Sequence, residues 1–116
     1  MTQHTNALGQ PIGFPLEDWA PPPIPPRVAL VGRYCAVEPL DAARHAEDLF
    51  AANAQDADAR MWTYLGYGPF ATLEEYRAWA AQRSQSADPQ FFAIVDRASG
   101  RAAGVASYLR IDPPAG

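Results

Sequence analysis

Lysine is absent from this chain, and its nine basic residues are all arginines, spread from Arg27 to Arg110. A nucleic-acid-binding surface gathers its basic residues on one face. A scattered set in a chain of net charge −4 argues against that kind of partner. Cysteine is nearly absent too. Cys35 stands alone, so neither an internal disulfide nor a thiolate metal cluster can form. It lies in an apolar strand pattern and reads as a small core residue, because a reactive thiol needs an open, electropositive setting. The two histidines, His4 and His45, are far apart and have no ligand-spaced partner, so no metal site is expected. No apolar run approaches the ~20 residues of a membrane span. No Arg precedes Arg27, so the start lacks the basic-then-apolar order of a signal peptide. A cytoplasmic protein without a membrane partner is the expectation. A phosphate loop is also missing: Gly66-Tyr67-Gly68 follows no strand pattern and has no GxGxxG spacing.

What is plentiful is proline. Seven of the twelve prolines fall in residues 1–26, and Pro21 to Pro26 reads PPPIPP. Proline fixes φ and removes a backbone donor, so this segment is an extended or polyproline II arm. Ile12, Phe14, Leu16 and Trp19 give it apolar anchors, and it is expected to lie along the domain surface. The remaining residues, 27–116, suffice for one domain.

The domain is organised around Gln90 to Leu109, which reads as a β-hairpin. Phe91 to Val95 is an aromatic and β-branched run, Gly104 to Leu109 is a second apolar run, and Asp96 to Arg101 between them is polar with a Ser-Gly turn. The first arm is apolar on both faces, Phe91, Ala93 and Val95 on one and Phe92 and Ile94 on the other, so both faces need cover.

Upstream, Arg33 to Glu38 reads as a strand ended by Pro39, with Tyr34 and Ala36 opposed to Cys35 and Val37. Asp41 is an N-cap for a helix running to about Asn53, whose buried stripe is Ala42, Ala46, Leu49 and Phe50. Thr72-Leu73-Glu74-Glu75 is a capping box opening a second helix that frays near Ser84, with Leu73, Tyr76, Trp79 and Ala80 as its apolar face. Between the helices, Met61 to Phe70 crowds large apolar side chains among Gly and Pro. Such side chains must be buried or must line something. The expected class is α/β (α+β): a β-α-α-β-β order, an antiparallel sheet and two helices behind a Pro-rich N-terminal arm.

Gly32-Arg33-Tyr34-Cys35-Ala36-Val37-Glu38-Pro39-Leu40, Trp62-Thr63-Tyr64-Leu65, Gly68-Pro69-Phe70, and Phe92-Ala93-Ile94-Val95-Asp96 followed by Gly100 and Gly104 come in an order that resembles the first half of the GNAT superfamily of acetyl-CoA-dependent N-acetyltransferases. The branch is similar to the ribosomal-protein N-terminal acetyltransferases, and Gly9 to Pro15 looks like an N-terminal extension found there. The resemblance implies transfer of an acetyl group from acetyl-CoA to a primary amine, on a small molecule or a protein N-terminus. It also implies a departure. The family continues into a fourth strand, a Gln/Arg-x-x-Gly-x-Gly/Ala loop that holds the pyrophosphate, and a helix; here that pattern falls only inside the hairpin, at Arg97 to Ala102 and Arg101 to Ala106, with no helix pattern opening after it. The expectation is therefore a truncated, acceptor-side half without cofactor-binding residues, inactive by itself.

On that reading Trp62, Tyr64, Tyr67 and Tyr108 are candidates for the wall of an acceptor pocket, with packing in the core as the competing role. Glu38 and Asp96 sit at strand ends, where ordinary solvated carboxylates are a simpler reading than a base, so no catalytic residue is assigned. The strand Gly104 to Leu109 would lack its neighbour, and an unguarded edge recruits another strand. A homodimer through residues 104–110 is therefore expected. A non-catalytic half-domain, or a polyproline ligand at Pro22-x-x-Pro25-x-Arg27, is the alternative.

Overall fold

The computed structural model describes residues 3–116, and the first two residues of the proline-rich arm lie outside the described residues. Four antiparallel strands form the main sheet in the order β3-β4-β5-β6: β3 (Leu30–Val31), β4 (Cys35–Pro39), β5 (Gln90–Asp96) and β6 (Ala102–Tyr108). Helices α1 (Ala42–Asn53) and α2 (Leu73–Arg83) are inserted between β4 and β5. The sequence expectation of an antiparallel sheet with two helices holds. A short β3 (Leu30–Val31) is added at the sheet's outer edge.

Register explains which face carries the core. Glu38 pairs with Ala93 and Ala93 with Val105, while Val37 pairs with Ile94 and Phe92 with Ala106. Side chains alternate along a strand, so Phe91, Ala93 and Val95 share one face. There they meet Ala46 and Leu49 of α1 and Tyr76, Trp79 and Ala80 of α2 in one buried cluster. Leu40 and Ala102 close it. Both helix starts are built as their sequences require. Asp41 accepts the Ala43 N–H through Oδ1 at 3.0 Å, and the Thr72 hydroxyl accepts the Glu75 N–H at 3.1 Å. Glu75 Oε2 accepts from the Ala71 N–H instead of the Thr72 N–H, one residue earlier than a simple capping box.

The β5–β6 turn is closed by Asp96 N–H to Arg101 O at 2.9 Å and Gly100 N–H to Asp96 O at 2.8 Å. Gly100 takes φ 73°, the left-handed region that glycine enters without strain. An irregularity opposite Ile94 and Val95 lets β6 begin at Ala102, two residues before the expected start. The far end differs as well. Strand β6 stops at Tyr108, and both carboxylate oxygens of Asp88 accept backbone N–H groups, of Arg110 and Ile111, at 2.9 Å each. This clamp draws residues 109–111 off the ladder, so the edge expected at 104–110 is cut back.

Three other readings are corrected. Strand β4 starts at Cys35 and includes Pro39, while Tyr34 lies before it and is exposed. Proline is admitted because it is the terminal residue, where a ladder donor can be spared. Cys35 is half-buried, on the sheet face turned away from the helices. The arm does not lie along the domain: Phe14 is 72% and Trp19 51% exposed. Its start folds on itself, β1 (His4–Thr5) pairing with β2 (Pro11–Ile12), and the Asn6 side chain accepts the N–H groups of Leu8 and Gln10. Only its far end is held. Gln90 Nε2 donates to Pro25 O at 2.9 Å, and the Arg27 guanidinium donates to Ser84 O and Ser86 O. The radius of gyration is 19.9 Å, with extents of 62 × 30 × 24 Å, against ~13 Å for a compact chain of this size. No helix among the described residues is long and apolar enough to cross a membrane.

Candidate functional site

The segment between the helices owes its shape to four local devices. Ala54 ends α1 and the chain turns through Gln55 N–H to Ala52 O and Asp56 N–H to Asn53 O. Asp56 Oδ2 then accepts the Met61 N–H at 2.8 Å, which anchors one turn of 3-10 helix at Arg60–Trp62. Trp62 is driven inward, 9% exposed, and meets Phe70 edge-on at 5.6 Å and Tyr67 at 6.1 Å. Gly68, at φ 75°, lies flat against the indole: a Cβ there would stand 2.4 Å from Trp62 Cε3. Only a residue without a side chain allows this approach.

These aromatics continue the core. Tyr67 stacks on Trp79 at 4.9 Å, Phe70 meets Tyr76 at 5.2 Å, and Trp79 meets Phe91 at 5.6 Å. Burial pushes the Tyr76 hydroxyl up to about 12, against the opposing pull of a hydrogen bond with Asn53. Outside this wall, between the C-terminal end of α1 and the 3-10 turn, lies a cleft of about 260 Å³. Phe50, Trp62, Pro69 and Phe70 give it an apolar side, and Asn53 and Asp56 give it a polar one.

The four aromatic candidates do not converge on one pocket. Trp62 lines the cleft. Tyr67 touches Trp62 but is half-buried between Trp79 and the Arg83 guanidinium, whose central carbon lies 5.7 Å from the ring centroid. Tyr64 is 97% exposed and lines neither the cleft nor the core. Tyr108 lies on the opposite face of the sheet, edge-on to Phe92 at 5.7 Å, in a shallow apolar hollow shared with Leu30, Val37 and Ala106. Of the two carboxylates considered as bases, Glu38 is committed on both oxygens, to Arg44 and to His45, at 2.8 Å each. Asp96 is a turn residue: the Ser99 hydroxyl and backbone N–H, with a further backbone bond from Ala98, hold its carboxyl below the usual carboxylate range, despite a small opposing desolvation.

Two polar residues escaped the sequence reading. Asp56 carried no signal beyond lying in a polar loop. His45 sits one position before Ala46 on the buried stripe, and its polar character masked its burial at 2% exposure. The Asp41 N–H donates to its Nδ1 at 3.0 Å, so Nε2 carries the proton toward Glu38. The residue ties the start of α1 to β4.

No family model and no curated protein matches the chain. Solved structures do. One is a GCN5-related N-acetyltransferase from Brucella melitensis, 45% identical, with a TM-score of 0.77, covering 84% of this chain and 44% of that one. Another is a probable acetyltransferase of the GNAT family from Chromobacterium violaceum ATCC 12472, 28% identical, with a TM-score of 0.72, covering 90% of this chain and 52% of that one. The chain thus has a GNAT-superfamily acetyltransferase fold, as the order of its motifs implied, and it spans about half the length of these relatives.

GNAT enzymes generally use acetyl-CoA. The residues described here do not fit its pyrophosphate. Such an anion sits on free N–H groups at a helix start. In α1 the Asp41 carboxylate already occupies that position, and in α2 the Thr72 hydroxyl does, with Glu74 and Glu75 adding negative charge in the first turn.

Proposed function

We propose that this chain is the acceptor-side part of an N-acetyltransferase that moves the acetyl group of acetyl-CoA to a primary amine, on a small molecule or a protein N-terminus, with the acetyl-CoA cradle lying outside these residues. The observation that carries the reading is the 45% identity to a GCN5-related N-acetyltransferase over 84% of the chain. The cleft beside Trp62 supports the assignment of the acceptor side. It is concave, with an apolar side of Phe50, Trp62, Pro69 and Phe70 facing the polar groups of Asn53 and Asp56, which is how a small-molecule site is built. In this reading residues 1–26 are an appended arm, residues 27–116 are the catalytic fold's first part, and the protein works in the cytoplasm. Trp62 forms the acceptor wall, and Tyr64, being exposed, contacts an acceptor only at the rim. Tyr67 backs Trp62, and Tyr108 contributes on the other face, where the rest of a GNAT fold would pack.

The test is a fusion of this chain to the unmatched remainder of the Brucella melitensis protein, assayed for thiol release from acetyl-CoA with a panel of amines. The reading expects amine-dependent release by the fusion and none by the 116-residue chain. A folded fusion that releases no thiol with any amine overturns it.

A second role follows from the sheet edge. Strand β6 has no neighbour on its outer side among the described residues, and it carries no Lys to guard it. We infer that two copies pair through Ala102–Tyr108. Light scattering should give a dimer that Ala106→Lys converts to a monomer. A wild-type monomer at high concentration refutes the pairing. The polyproline-ligand alternative loses ground, because Arg27, the charged end of its motif, is spent on Ser84 and Ser86.

A further inference from the structure

The cleft beside Trp62 has a consistent electrostatic sign. Its lining includes one charged side chain, Asp56, and no basic one. Asp56 spends Oδ2 on the Met61 N–H, and among the described residues its Oδ1 accepts no hydrogen bond. The cleft opens at the C-terminal end of α1, where the helix dipole is negative. That last turn contains no basic residue to neutralise it. Glu75 lies on the cleft's other flank, held by the N–H of the lining residue Ala71. The nearest cation in sequence, Arg60, is exposed and paired with Asp58 at 3.2 Å.

The apolar side faces this acidic side directly. Trp62 and Phe70 are packed edge to face, and Gly68 locks the indole from behind, so the wall is rigid. At about 260 Å³ the cleft lies just below the ~300–1,000 Å³ of pockets for drug-sized ligands, so it takes a smaller body. Asn53 adds one more group able to accept from an N–H.

The geometry points to a site for a primary ammonium carried on a small apolar body of about one aromatic ring, with the cation at Asp56 and the carbonyl end of α1 and the body against Trp62 and Phe70. The inference rests on the acceptor-side reading for its role and narrows the acceptor to an arylalkyl amine, which is protonated at neutral pH. The binding itself involves no acetyl transfer.

Benzylammonium and neutral benzyl alcohol, titrated into the 116-residue chain and followed by amide and indole NMR shifts, test it. Benzylammonium should bind about tenfold more tightly, the equivalent of one charge-assisted hydrogen bond at a half-exposed site. The shifts should centre on Asn53, Asp56 and the Trp62 indole N–H. Asp56→Asn keeps an oxygen for the Met61 N–H, so the loop is retained while the preference for the cation should vanish. Ala57→Arg, on the rim, should abolish benzylammonium binding without touching Asp56. Asp58→Asn should change nothing. Equal binding of the two probes, equal losses in Asp56→Asn and Asp58→Asn, or shifts centred on Phe92 and Tyr108 would each overturn the site. A chain that prefers benzylammonium while its fusion transfers no acetyl group refutes the function alone. A fusion that transfers acetyl groups without any cation preference in the cleft refutes this inference alone.

Discussion

Gly68→Ala is the sharpest single perturbation of the candidate site. The added Cβ would lie 2.4, 2.7 and 2.8 Å from three carbons of the Trp62 ring. The ring cannot step aside cheaply, because Phe70 and Tyr67 pack against it. Two costs add. Forcing alanine to φ 75° costs about 1–2 kcal/mol. Overpacking a filled core costs about 1–3 kcal/mol. The expected loss is therefore about 2–5 kcal/mol, a large part of the ~5–15 kcal/mol that holds a domain together. Gly66 supplies the control two residues away. Nothing lies within 4 Å of its hypothetical Cβ, and its φ is outside the left-handed region. Gly66→Ala should be neutral within about 0.5 kcal/mol. Urea unfolding followed by circular dichroism measures both, and tryptophan fluorescence reports whether Trp62 has moved. Equal midpoints for the two variants would refute the packing of Gly68 on Trp62, and with it the rigid wall of the cleft.

Two further outcomes follow from buried polar groups. The Tyr76 hydroxyl ionises at about 12 in the folded protein and at about 10 in an unfolded chain, so stability should be intact below pH 10 and fall as pH rises toward 12; Tyr76→Phe should flatten that alkaline loss in urea titrations, and an unchanged slope would contradict it. His45→Ala strands the Asp41 N–H and one Glu38 oxygen and empties a buried site, for an expected cost of about 2–5 kcal/mol. Arg44→Ala removes the exposed partner of the same carboxylate and should cost no more than about 1 kcal/mol; equal costs for the two would show that His45 is not a structural tie.

Much of this fold was legible because its elements announce themselves locally. Asp41 and Thr72 mark helix starts by chemistry that acts within four residues, and the β5–β6 hairpin is written in an apolar run, a turn and a second run. Alternation sorted Phe91, Ala93 and Val95 from Phe92 and Ile94, but which of these two apolar faces meets the helices became clear only from the packing. The site was less legible, because its side chains sit on irregular backbone, where neither the period of a helix nor that of a strand predicts direction. Trp62, Tyr64 and Tyr67 look alike in sequence, yet the 3-10 turn and Gly68 bury the first, expose the second and turn the third onto Trp79. Asp56 became visible only when Met61 was seen to fold back on it. The arm misled for the opposite reason. Its apolar residues suggested anchors, but Phe14 and Trp19 are exposed, and the arm is tied near its far end, by hydrogen bonds at Pro25 and Arg27 and by Pro22, Pro23 and Pro25 lying beside Tyr108 to Ile111.

Calorimetric titration of acetyl-CoA into the 116-residue chain, and into its fusion with the remainder of the Brucella melitensis protein, tests the central claim most directly. Each helix start in this chain already carries a capping oxygen, of Asp41 on the Ala43 N–H and of Thr72 on the Glu75 N–H, so neither offers an anion an open set of N–H groups. The account predicts no binding by the chain and saturable binding by the fusion. Micromolar binding by the chain itself would contradict it.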